Sequence, residues 1–175
     1  MKRFVITAIT TIALVLALTS DVAAAGATIE TSAVSFTITS AGCQYLPAGT
    51  TVRGSGTQKS ITTVRTDASG VTTIENSTHA NGTATDNSGN TYVFNYSNSF
   101  RVSNTVAHPG TFSGSMTDAF SLAGNGPAQL HNGFVAGITS SDGFVSASWD
   151  VKSSRGDPIS FATGPIEAAH HCDPI

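Results

Sequence analysis

The stretch Thr91-Tyr92-Val93-Phe94-Asn95-Tyr96-Ser97-Asn98-Ser99-Phe100-Arg101-Val102-Ser103 decides the fold class. Tyr92, Phe94, Tyr96, Phe100 and Val102 fall on one side of an extended chain, and Asn95, Ser97, Ser99 and Arg101 on the other. Successive side chains of a β-strand point to opposite faces, so this alternation describes a strand with one face in a core and one in water. An amphipathic helix would need apolar residues at i, i+3, i+4 and i+7, and no long repeat of that kind occurs after residue 26.

The same reading extends upstream. Asp86-Asn87-Ser88-Gly89-Asn90 is a turn that follows an extended stretch near 71–84, and Asp67-Ala68-Ser69-Gly70 is another, whose glycine can take a positive φ. Before it, strands are expected near 50–57 and 59–66, with Gly54 and Gly56 marking a bulge or a close backbone approach. Val34, Phe36 and Ile38 alternate with Ser35, Thr37 and Thr39 in a first strand near 28–40, and Ala41 to Gly49 is a long connection.

Downstream, His108-Pro109-Gly110 ends the run, and a strand near 111–121 carries Phe112, Met116 and Phe120 on one side. Asn125-Gly126-Pro127 turns the chain again; Leu130, Phe134, Ala136 and Ile138 define the inward side of the next strand. After the hairpin signal Ser141-Asp142-Gly143, Val145, Ala147, Trp149 and Val151 alternate in the last main strand. A short strand near 158–163 can only be an edge, because Pro158 has no N–H to give a central ladder. About eight long strands joined in order by short turns predict an all-β antiparallel up-and-down meander. Closing it into a barrel removes two exposed edges; a two-sheet β-sandwich is the alternative.

Composition sets the frame. The chain has 175 residues, 39% hydrophobic and 11% charged with a net charge of −3, which fits one globular domain and excludes a strongly basic nucleic-acid binder. Lys2 and Arg3, the apolar run Phe4 to Leu18 and the small residues Ala23, Ala24, Ala25 and Gly26 have the three-part layout of a secretory signal peptide. The expected organisation is therefore a leader at 1–25 and a single all-β domain at 26–175, secreted and without stable membrane insertion once the leader is cleaved. The apolar run is shorter than the roughly 20 residues a bilayer-spanning helix needs.

Export would place Cys43 and Cys172 in an oxidising compartment, where pairing is the expectation. His170, His171 and Cys172 are adjacent, and consecutive residues in extended chain point apart; no second ligand pair completes a tetrahedral site, so no metal is expected. No cofactor is implied either: Gly-x-Ser-x-Gly, His-Glu-x-x-His and a phosphate-cradling glycine loop are all missing.

The candidate site residues follow from the strands. The stretch near 71–84 puts Ile74, Asn76, Thr78, Ala80, Gly82 and Ala84 on one face and Glu75, Ser77, His79, Asn81 and Thr83 on the other; neither is strongly apolar, as in an edge or flat strand or in a polar wall of a cavity. His79 and His131 fall in strands, and Arg101, like Arg53 and Arg65, is a strand arginine that would need Glu75 or Asp118 as partner if it faced inward. Tyr92, Phe94, Tyr96, His79, His131, Arg101 and Trp149 form the candidate ligand-binding set, since a barrel of about eight strands can enclose one small molecule. Asn76-Ser77-Thr78, Asn81-Gly82-Thr83 and Asn95-Tyr96-Ser97 match the glycosylation acceptor pattern.

In size, leader and hairpin order the chain resembles the ligand-binding barrels that include lipocalins and avidins. The Gly-x-Trp that opens the first lipocalin strand is absent, and the single tryptophan, Trp149, lies in the last main strand. The resemblance therefore implies an architecture and carries over no functional residue. Three functions compete. One is a secreted, non-catalytic protein binding a small molecule in the barrel, and another is a surface interaction protein without a ligand. The third is a small cofactor-free isomerase or hydrolase, using His79 or His131 with a carboxylate.

Overall fold

The structure, a computed structural model, describes residues 26–43, 45–141 and 148–155. Seven strands form one sheet in sequence order, each antiparallel to the next: β1 (Gly26–Thr39), β2 (Thr51–Thr66), β3 (Thr72–Asp86), β4 (Thr91–Thr105), β5 (His108–Gly124), β6 (Leu130–Ser140) and β7 (Ser148–Arg155). The all-β meander expected from the alternation is present. Among the described residues no ladder joins β1 to β7, so the sheet is open where a closed barrel was expected, and it is one sheet where a sandwich has two. The expected leader and the strand near 158–163 lie outside the described residues.

Two boundaries differ from expectation for physical reasons. The stretches near 50–57 and 59–66 are one continuous strand, β2, because Gly54 and Gly56 keep their ladder pairs and serve close approach instead of a bulge. A Cβ on Gly54 would overlap the Phe36 ring, and one on Gly82, the partner of Gly56, would sit 2.6 Å from the Gly56 Cα. Strand β5 begins at His108 instead of near 111, because the reversal is a tight one between Thr105 and His108 with a register shift just before it.

The hairpin registers pair even residues with even ones across β1 to β6. Phe36 lies opposite Gly54, Gly54 opposite Ala84, Ala84 opposite Tyr92, Phe94 opposite Leu122 and Leu122 opposite Leu130. Side chains alternate by twos, so the even-numbered residues of all six strands share one face. Every aromatic residue of β1 to β6 is even-numbered, which makes that face the interior.

That face is strongly rolled. In a flat sheet β1 and β5 would lie four spacings apart, roughly 19 Å. Yet the rings of Phe36 in β1 and Phe120 in β5 have centroids 5.8 Å apart, and Phe36 meets Phe94 of β4 edge-on at 4.9 Å. Gly54, Gly82, Ala80 and Ala84 occupy the interior face of β2 and β3, and their small size lets the Phe36 ring cross those strands. Cys43 and Leu46 of the β1–β2 loop and Ala128 of the β5–β6 loop fold over this end and complete the main core. A second cluster of Ile74, Val102, Phe112 and Ile138 lies toward the other end. Residues 26–33 of β1 are exposed on both faces.

Candidate functional site

Between the two apolar clusters the interior face turns polar. On β2 the change comes at Ser60 and Thr62, on β3 at Asn76 and Thr78, on β4 at Tyr96 and Asn98, on β5 at Asp118 and on β6 at Asn132. Two hydrogen-bonded groups make up most of this belt. Asn76 Nδ2 donates to Ser60 Oγ and Thr62 Oγ1, both at 2.9 Å, and Thr78 Oγ1 lies 3.0 Å from both Ser60 Oγ and Asn76 Oδ1. Asp118 Oδ2 accepts from Tyr96 OH and Asn98 Nδ2, each at 2.7 Å. Asp118 and Asn132 are almost fully buried, at 3% and 2% exposure, while Ser60, Thr62, Thr78, Tyr96 and Asn98 are half-buried. The belt thus combines half-buried members on β2 to β4 with buried ones at Asn76, Asp118 and Asn132.

Asn132 stands opposite Phe120 in the register, one diagonal step from Asp118. Its Nδ2 is buried and has no hydrogen-bond partner. A buried amide donor left unpaired costs about 1–3 kcal/mol, so this group lowers stability where it stands.

Charge divides by parity. Arg53, Lys59, Arg65 and Arg101 are odd-numbered and exposed on the outer face; Arg101 Nη1 pairs with Glu75 Oε1 at 3.0 Å, in water. Among the described residues of β1 to β6 no lysine or arginine is on the interior face, which carries Glu30, Asp86 and Asp118.

The sequence-derived candidates separate accordingly. Tyr92 and Phe94 are interior but packed: Phe94 touches Phe36, and the rings fill the space a ligand would need at that end. Tyr96 borders the belt. His79, His131 and Arg101 are on the outer face, turned away from the three aromatics, so the set is not brought together. Trp149 stands opposite Ile138 in the β6–β7 ladder, and its side chain lies outside the described ones. Cys43 is buried in the main core; Cys172, with His170 and His171, lies outside the described residues.

Sequence reasoning offered the 71–84 strand as an edge strand or a polar wall without choosing which of its faces, and passed over Asn98 and Asn132. The signal that finds them is parity: they carry the same even numbering as Phe94 and Phe120.

The outer face offers little relief. Depressions of about 220 Å³ (Glu75, Ser99, Arg101, Thr117) and about 310 Å³ (His79, Asn81, Asn95, Ser121) lie over β3 to β5. His79, His108 and His131 are all exposed, and among the described residues no cluster of His, Cys, Asp or Glu could hold a metal ion. Among the described residues, Ile29 and Ile61 are the only exposed large hydrophobic residues that are cross-strand partners. Of the three glycosylation-pattern asparagines, Asn76 is buried and hydrogen-bonded, and Asn81 and Asn95 are exposed cross-strand partners. No family model, curated protein or solved structure matches the chain.

Proposed function

We propose that the chain is an exported, non-catalytic binding protein that holds a small molecule against the polar belt of its rolled sheet. The observation that carries this reading is the belt itself: hydrogen-bonding side chains gathered on the interior face, between two apolar clusters, with half-buried members that a ligand can reach. Ligand pockets characteristically combine apolar walls with a few convergent polar groups. An enzymatic reading needs a titratable pair in a cleft, and the described histidines are exposed.

The proposal includes a leader at 1–25, a disulfide between Cys43 and Cys172, and closure of the sheet into a barrel. In an alternating meander β1 and β7 run the same way, so an antiparallel closure takes an even number of strands. An eighth would have to come from the residues after Arg155, with Pro158 tolerated only as the first residue of that strand. Rolling that brings Phe36 against Phe120 favours closure, and a bond from Cys43 would hold the chain's last residues near the end of β1.

Native mass spectrometry of protein recovered from the secretion medium tests the function, with Gly26 expected as its first residue. A discrete co-purifying small molecule, lost on denaturation, is the expected result; a bare chain that also takes up nothing from a metabolite library would refute the reading. Alkylation without reductant should label neither cysteine.

A further inference from the structure

The unpaired Asn132 amide says what kind of molecule the belt would take, an inference that rests on the binding reading above. We infer that the belt binds a small neutral polyol, one of whose oxygens accepts a hydrogen bond from Asn132 Nδ2. Three observations converge on that chemistry. Asn132 Nδ2 is a buried donor without an acceptor, on a side chain 2% exposed, so the matching ligand atom is an oxygen. The half-buried groups of the belt, Ser60, Thr62, Thr78 and Tyr96, are hydroxyls that can both give and receive, which suits a ligand with several hydroxyl groups better than a pure acceptor. Among the described residues of β1 to β6 the interior face carries no lysine or arginine to pair with a phosphate, sulfate or carboxylate, which favours a neutral ligand.

The apolar clusters on either side make the ligand small. Phe94 and Phe120 bound the belt toward one end, and Val102 with the half-buried Phe100 toward the other. Reaching Asn132 requires the amide to move toward the half-buried side of the belt, and the free energy stored in its unpaired state is released when the ligand's oxygen arrives.

The test uses the full exported chain, with myo-inositol and sorbitol as probes followed by saturation-transfer NMR. Asn132→Leu keeps the size and removes the donor; His131→Gln, next to it on the outer face, is the control. Wild type and H131Q should bind one of the two polyols with equal affinity, and N132L about tenfold more weakly, the worth of one buried hydrogen bond. N132L should also melt at or above the wild-type temperature, which shows that the lost binding is not lost folding. Equal binding by N132L, or no binding of either polyol by wild type, would overturn the inference. If native mass spectrometry still finds another bound molecule in that last case, the binding reading survives and only the ligand class falls.

Discussion

Tyr92 illustrates how one buried polar atom ties a loop to the core. Its hydroxyl donates to Asp86 Oδ2 at 2.8 Å and accepts from the Ala128 N–H at 3.3 Å, so the β3–β4 turn and the β5–β6 loop meet on a single oxygen. Asp86 also accepts from the Asn90 side chain and from the backbone N–H groups of Asn90 and Ser88. These bonds, that of the Asn90 side chain foremost, favour the charged carboxylate and pull its pKa down to about 2 from the ordinary 3.8. Because the folded value is the lower one, the stabilisation is fully present above pH 3.8 and drains away as pH falls toward about 2. Thermal melts of Asp86→Asn against wild type should therefore differ near neutrality and converge over that window; a constant difference down to the lowest pH would contradict the assignment. Burial, with the Asp86 bond second, raises the Tyr92 phenol above its usual value, so the same contact weakens again in strong alkali as the phenol ionises. That Tyr92 faces inward was legible in the alternation around it. That His79 and Arg101 face outward was equally legible in their odd numbers, but only once the registers showed that parity carries from strand to strand.

Among the elements, β2 and β3 roll because they lack side chains where Phe36 needs room. Adding a methyl group at Gly54 would drive it into the Phe36 ring, and a double-mutant cycle isolates that clash. Gly54→Ala should cost about 1–3 kcal/mol in the wild type and under about 0.5 kcal/mol in a Phe36→Ala background. Phe36→Ala alone should cost about 3–5 kcal/mol, since it empties the space beside Phe94 and Phe120. Equal penalties for Gly54→Ala in both backgrounds, read by denaturant unfolding, would mean that the glycine serves something other than the ring. The turns follow a simpler logic. Asp67-Ala68-Ser69-Gly70 and Asp86-Asn87-Ser88-Gly89 each place an aspartate that accepts backbone N–H groups and a glycine at positive φ, 88° and 85°. Gly89→Ala should accordingly cost about 1–2 kcal/mol, the penalty of a left-handed residue with a Cβ. Both turns could be read from sequence because their chemistry is local. The role of Gly54 could not be settled that way, because its partner is a ring eighteen positions earlier in the chain.

At the scale of the molecule, β1 is an edge of the sheet among the described residues. Residues 26–33 of β1 are exposed on both faces, carry a single charge at Glu30, and present Ile29 at 60% exposure, the kind of edge that recruits another strand. The alternation and the antiparallel hairpins were readable because each is local, whereas the number of strands was not, since the glycines of β2 were read as a break between two strands. Closure was not, because it depends on two ends of the chain meeting, and alternation within a strand carries no information about a partner more than a hundred residues away. If the residues after Arg155 close the barrel as proposed, a chain spanning 26–155 should lose hydrogen-exchange protection along β1 while β3 to β5, held by ladders on both sides, keep theirs. It should also associate through the freed edge, seen as a concentration-dependent mass in light scattering. In the full chain, Cys43→Ser should lower the melting temperature and loosen β1 in the same pattern, because the bond would fix the closing segment beside the β1–β2 loop. A truncated chain that stays monomeric, with β1 as protected as in the full protein, would mean that the rolled sheet is stable open and that the tail has no part in closing it.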